Sequence, residues 1–173
     1  MAPKQLPFLT TKVSERTSMA AIQDLLESVG FEQTGQLTQR DGRRVVMAMQ
    51  GKATFHFEVD PKRVENAVIA QMSNRKRKKM QDVEDWEAEE IRKEVQEQAI
   101  RIGWRLMHEK VKATVDSIRL NVETIAEAFG SHMLLPGPDG PIKVADALTK
   151  GMADGSITSP GFLNRLLLLP PKK

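Results

Sequence analysis

The apolar positions change their period twice along the chain. Between Ser14 and Val29, the residues Met19, Ile22, Leu25, Leu26 and Val29 recur at helical spacing. That pattern predicts a helix with Ser14 as N-cap and Gly30 as the left-handed residue beyond its end. From 31 to 59 the period falls to two. FEQTGQLTQ (31–39), RVVMAMQ (44–50) and ATFHFEV (53–59) read as three strands. Asp41-Gly42 signals a two-residue turn between the first two, and Gly51-Lys52 turns the second into the third. In the last strand Phe55, Phe57 and Val59 face one way, toward a core. Thr54, His56 and Glu58 face the other way, toward water. FLTTKV (8–13) adds a strand candidate before the helix.

Asp60-Pro61 ends the sheet region, and KRVENAVIAQM (62–72) reads as a short helix. From Asp82 onward the helical period returns and persists. Ile91, Val95, Ala99, Ile102, Leu106, Val111, Val115, Ile118, Val122, Ile125 and Phe129 form one stripe, with Gly130 to cap it. An unbroken helix over 82–130 would be roughly 70 Å long. Such a rod must either kink, with Gly103 the natural place, or lay its stripe on another subunit. The second route predicts a homo-oligomer, and Trp104, Leu106, Val111, Val115, Ile118 and Val122 are candidate anchors either for a partner helix or for a core with the small sheet lying on the helical seam. Beyond it, PGPDGP (136–141) is a dense turn, 144–153 a short helix, and Phe162, Leu163 and Leu166–Leu169 suit a docking tail.

The expected fold is therefore α+β. A small N-terminal βαβββ antiparallel unit (1–72) leads through a basic connector (73–81) to the long helix (82–130). A turn, short helix and docking tail (131–173) complete the chain.

Charge adds a candidate function. Residues 1–81 hold 14 Lys and Arg against 8 Asp and Glu, whereas 82–173 hold 12 against 15. The basic surplus peaks in Arg75, Lys76, Arg77, Lys78 and Lys79, which can neutralise phosphates and release their counterions. Arg40, Arg43 and Arg44 at the first hairpin would extend the patch if the fold brings them near. A solvated linker is the competing reading of the same run. The carboxylates of 82–90 complement the N-terminal end of the long helix and show no metal-binding spacing.

Catalytic patterns are missing from the sequence. His56, His108 and His132 make no HExxH pair, and a chain without Cys has no thiolate site. His108 and Glu109 are adjacent on a helix, so their side chains should diverge by about 100°. Neither GxxxxGK[ST], GxGxxG nor GxSxG occurs, and the prolines of PGPDG remove the donors a phosphate loop needs. No enzyme, metal or cofactor is expected. The first residues lack a signal-peptide core and no apolar run spans a membrane, so the expectation is a cytoplasmic protein.

The segments RIGWRLMHEKVKATVDSI (101–118) and ETIAEAFGSHMLLPGPDGPIKVADAL (123–148) resemble a family of small, largely uncharacterised bacteriophage and prophage proteins. Trp104-Arg105-Leu106, Val111-Lys112-Ala113, Thr124, Glu127, Phe129, Leu134-Leu135-Pro136 and Asp139-Gly140 carry the likeness. TTKVSERTSMAAIQDLLESVGFE (10–32) resembles the same family's opening. The resemblance implies a phage-encoded protein of the host bacterial cytoplasm, acting in DNA replication or recombination. Joined to the basic run, it gives a non-catalytic DNA-binding accessory, with single-stranded DNA favoured. The alternative is a host-interaction or anti-defence protein that binds a host or phage protein, or a small nucleotide, at an oligomeric interface.

Overall fold

A computed structural model describes residues 8, 10–39, 43–71, 86–136 and 140–153. The chain is α+β, with a three-stranded antiparallel sheet packed against a long helix.

Helix α1 (Glu15–Glu27) starts where the sequence places it. The Ser14 hydroxyl accepts from Thr17 N–H at 3.1 Å, and Gly30 follows with φ +99°. Strands β1 (Gln33–Thr38), β2 (Arg44–Gln50) and β3 (Ala53–Glu58) then run in sequence order, with Thr38 opposite Arg44 and Gln50 opposite Ala53. Gly51, at φ +56°, takes the positive-φ position of the β2–β3 turn. At the first hairpin, Gln39 N–H donates to the Arg43 carbonyl at 2.8 Å. The Asp41-Gly42 turn itself lies outside the described residues. No strand precedes α1 among the described residues. Thr11 N–H instead donates to the Phe8 carbonyl in a turn, so the described residues of the N-terminal unit form αβββ rather than βαβββ.

Helix α2 (Pro61–Gln71) opens with Pro at the first helical position, where no N–H is needed, and Asp60 accepts from Lys62 N–H. Helix α3 (Trp86–Arg119) is the spine of the molecule. It is shorter than the periodicity predicts. Asn121 adopts φ +55°, and Thr124 starts a new helix, α4 (Ile125–Phe129), through a capping box with Glu127. Val122 therefore falls in the intervening turn, 71% exposed, and anchors no core. Gly103 does not interrupt α3. A Cβ there would overlap the Val59 side chain, so this glycine serves close packing, not a kink.

The sheet's inner face (Val46, Ala48, Phe55 and Phe57) meets Met19, Ile22 and Leu26 of α1 together with Trp104, Val111 and Val115 of α3. Ile118 packs against this core from its edge. A second cluster joins α2 to the earlier part of α3 through Val68, Val95, Ala99 and Ile102, with Leu106 alongside. The stripe expected to seek another subunit is thus covered from within the chain by α1, α2 and the sheet.

After α4 and a 3-10 turn (Gly130–His132), β4 (Leu134–Leu135) pairs with β5 (Ile142–Lys143), and α5 (Val144–Ala153) follows. A bridge from Met133 to Phe55 attaches this small hairpin to the outer edge of β3. Among the described residues no helix is long and apolar enough to cross a membrane.

Candidate nucleic-acid interface

Arg44 opens β2 on the same face as Val46 and Ala48, the face that meets α1. The pleat therefore carries its guanidinium to the first turn of α1, where it pairs with Glu15. Ser14, Glu15 and Arg16 border one side of the resulting cleft, and Glu97, Ile100 and Arg101 of α3 border the other. Its volume is 340 Å³. A second cleft of 230 Å³ shares Glu15, Arg44 and Ile100 with the first. It continues past Arg43 to Val59, Pro61, Gln96 and an edge of Trp104.

Four arginines (16, 43, 44 and 101) and two glutamates (15 and 97) border the joined clefts, a surplus of two positive charges. Glu97 pairs with Arg101 at 3.4 Å across one helical turn, while its side chain stays 51% exposed. Such an exposed pair contributes little to stability, so exchanging its carboxylate for another anion costs little. Arg16 comes from the first turn of α1, Arg44 from the start of β2 and Arg101 from the middle of α3, while Arg43 directly precedes β2. Regular elements therefore hold three of the four charges.

The sequence-based candidates divide three ways. Arg43 and Arg44 lie at the clefts. Arg40 and Arg75–Lys79 lie outside the described residues. Trp104, Val111 and Val115 are buried and Leu106 and Ile118 half-buried, all of them in cores within the chain. Sequence reasoning misses Arg16 and Arg101. Each is a single arginine in an ordinary helix, and only the packing of α1 across α3 brings them together.

A different polar cluster sits where the C-terminal hairpin meets β3. Lys143 of β5 forms an ion pair with Glu58. His132 stacks on Phe57, with ring centroids 4.7 Å apart and an interplanar angle of 23°. Burial, helped by the charge of Lys110, lowers the His132 pKa to about 4. His56 is not fully in water as expected. Its side chain is 13% exposed and its Nδ1 is buried without a hydrogen-bond partner. Burial, then the charge of Lys143, lowers its pKa below the ordinary imidazole value. For Glu58 burial pushes upward, but the hydrogen bond and charge of Lys143 outweigh it and the pKa lies below the usual carboxylate range. These contacts hold the hairpin to the sheet.

His108 and Glu109 correct a simpler geometric expectation. The Glu109 carboxylate reaches both Arg105, at 2.7 Å, and His108 Nδ1, at 3.3 Å, although the two Cα–Cβ directions diverge. Among the described residues no group of three or more His, Asp or Glu side chains is arranged to hold a metal ion.

No family model matches the chain, and neither a curated protein nor a solved structure matches it.

Proposed function

We propose that the protein is a non-catalytic DNA-binding accessory that holds phosphates in the arginine-lined clefts. The observation that carries this reading is the convergence of Arg16 of α1, Arg44 of β2 and Arg101 of α3, with Arg43 just before β2, around one concave surface. Guanidinium groups match phosphate oxygens in geometry and stay charged at every physiological pH. The basic run at 75–79 follows α2 in the sequence and adds cationic charge to the chain. The setting in phage DNA replication or recombination rests on the sequence resemblance alone.

Titration with single-stranded and duplex oligonucleotides at two salt concentrations tests the proposal. Affinity should fall as salt rises, because binding releases condensed counterions. Arg16→Gln and Arg101→Gln should each weaken binding regardless of base sequence and flatten the salt dependence, by about one unit of slope for each phosphate no longer neutralised. Salt-independent binding, or undiminished binding when both arginines are replaced, would overturn the proposal.

A further inference from the structure

The two confluent clefts share a wall, and each mixes charged and apolar groups. The larger one, between Ser14 and Arg101, is bordered by charged groups, with Ile100 its apolar lining residue. The smaller one sets the apolar side chains Val59, Pro61, Ile100 and Trp104 beside Glu15 and the arginines, with Gln96 as a neutral polar group. Arg44 stands where they meet, and Arg43 borders the smaller one. At 340 and 230 Å³ the pair falls in the size range of small-molecule sites, in which apolar walls and a few polar groups share the work of recognition.

We infer that the paired clefts seat one nucleoside phosphate, its base against Val59, Pro61 and Trp104 and its phosphate among Arg16, Arg44 and Arg101. This inference rests on the phosphate-binding reading of the same surface and narrows it from a backbone contact to a single nucleotide unit. A phosphate alone would leave Val59, Pro61 and Trp104 uncovered, and a purely apolar ligand would strand the arginines. A nucleotide satisfies both. Gln96 carries one amide donor set and one acceptor, which suits the edge of a base. Glu15 pairs with Arg44 and Glu97 with Arg101, so an incoming phosphate exchanges with carboxylates already there. A base stacked in a duplex cannot reach such a compartment, which restricts the ligand to a free nucleotide or to an unpaired or terminal nucleotide of a strand.

The test compares dAMP, inorganic phosphate, and a short single strand with or without a 5′-phosphate, each titrated into the full chain. Binding of dAMP at least about tenfold tighter than of inorganic phosphate is expected, since burying a base adds more than one factor of ten in affinity. Gln96→Trp, a change at an exposed helix position, should fill the smaller cleft and bring the affinity for dAMP down to that for inorganic phosphate measured on the same variant. Equal affinities for dAMP and phosphate would overturn the inference, as would a dAMP advantage that survives Gln96→Trp. Salt-dependent oligonucleotide binding without a dAMP advantage would remove the nucleotide pocket and leave the DNA reading standing. A dAMP advantage without oligonucleotide binding would support the pocket, identify the ligand as a free nucleotide and remove the DNA reading. A preference for the 5′-phosphorylated strand over its hydroxyl counterpart would support the pocket and place the terminal nucleotide in it.

Discussion

At Trp104, where the indole is 2% exposed, one side chain belongs to the core between the sheet and α3 and also borders the smaller cleft. Trp104→Ala should lower unfolding free energy by about 3–5 kcal/mol, as for other large buried aromatics, measured by chemical denaturation. A loss under about 0.5 kcal/mol would mean that it anchors nothing. Thr124 acts at a different point of the chain. Its hydroxyl and backbone N–H both bond the Glu127 carboxylate, and the Glu127 N–H returns to the hydroxyl. The Thr124 backbone N–H, followed by the hydroxyl, holds the Glu127 pKa below the usual carboxylate range. Thr124→Ala removes the box and should cost about 1 kcal/mol in the same assay. If stability is unchanged, the turn after α3 is set by Asn121 alone.

Among the elements, those with local signals were legible in the sequence. Ser14 and Gly30 bracket α1, Gly51 marks the β2–β3 turn, and the short C-terminal helix occupies residues 144–153 as its apolar spacing indicates. The end of α3 was not legible, because Ile118, Val122 and Ile125 keep the helical period through a break imposed by the backbone at Asn121. Half of the candidate site, Arg43 and Arg44, was marked by its hairpin. Arg16 and Arg101 carry no local signature, because their meaning arises only when α1 crosses α3. The β4–β5 hairpin was equally hidden, since two paired residues a strand make too short a pattern to read.

That hairpin supplies the prediction proper to this scale. His132 has an ordinary imidazole reference value of 6.5 and a folded value of about 4. Burial lowers it most, Lys110 on α3, Lys143 on β5 and the ring of His56 on β3 lower it further, and the hydrogen bond to the His56 carbonyl opposes them. A lowered folded pKa means that the unfolded chain takes the proton first. The stabilisation is therefore complete above about pH 6.5 and is lost as pH falls from there to about 4. Discounted for the partial exposure of His132, the loss is roughly 1–3 kcal/mol. Glu58, whose folded pKa is also depressed, adds to the loss as the pH falls further. Urea unfolding at pH 7 and pH 4.5 measures it. His132→Phe keeps a ring against Phe57 and should flatten the dependence over this interval. An unchanged acid slope in that variant would assign the dependence to other groups.

For the whole molecule, internal coverage of α3 changes where self-association could arise. Leu120 and Val122, 75% and 71% exposed in the turn after α3, are prominent apolar residues among those described. If the chain associates with itself through this surface, Leu120→Ser with Val122→Ser should return the mass in sedimentation to that of one 19.4 kDa chain. Persistence of the larger species would place the contact elsewhere. At this scale the charge also separates, since the arginine clefts lie at the meeting of α1, β2 and α3, whereas Lys143, Glu58 and the two histidines pin the hairpin beside β3.

The missing side chain of Gly103 bears on this larger layout. Val59 presses into the space that a Cβ at 103 would fill, and the same valine walls the smaller cleft. Any side chain at 103 must push Val59 outward and narrow the compartment, unless Val59 shrinks in return. In descendants of this chain the two positions should therefore drift as a pair, small against large. The size of what the cleft admits would then be inherited through a glycine that never touches it.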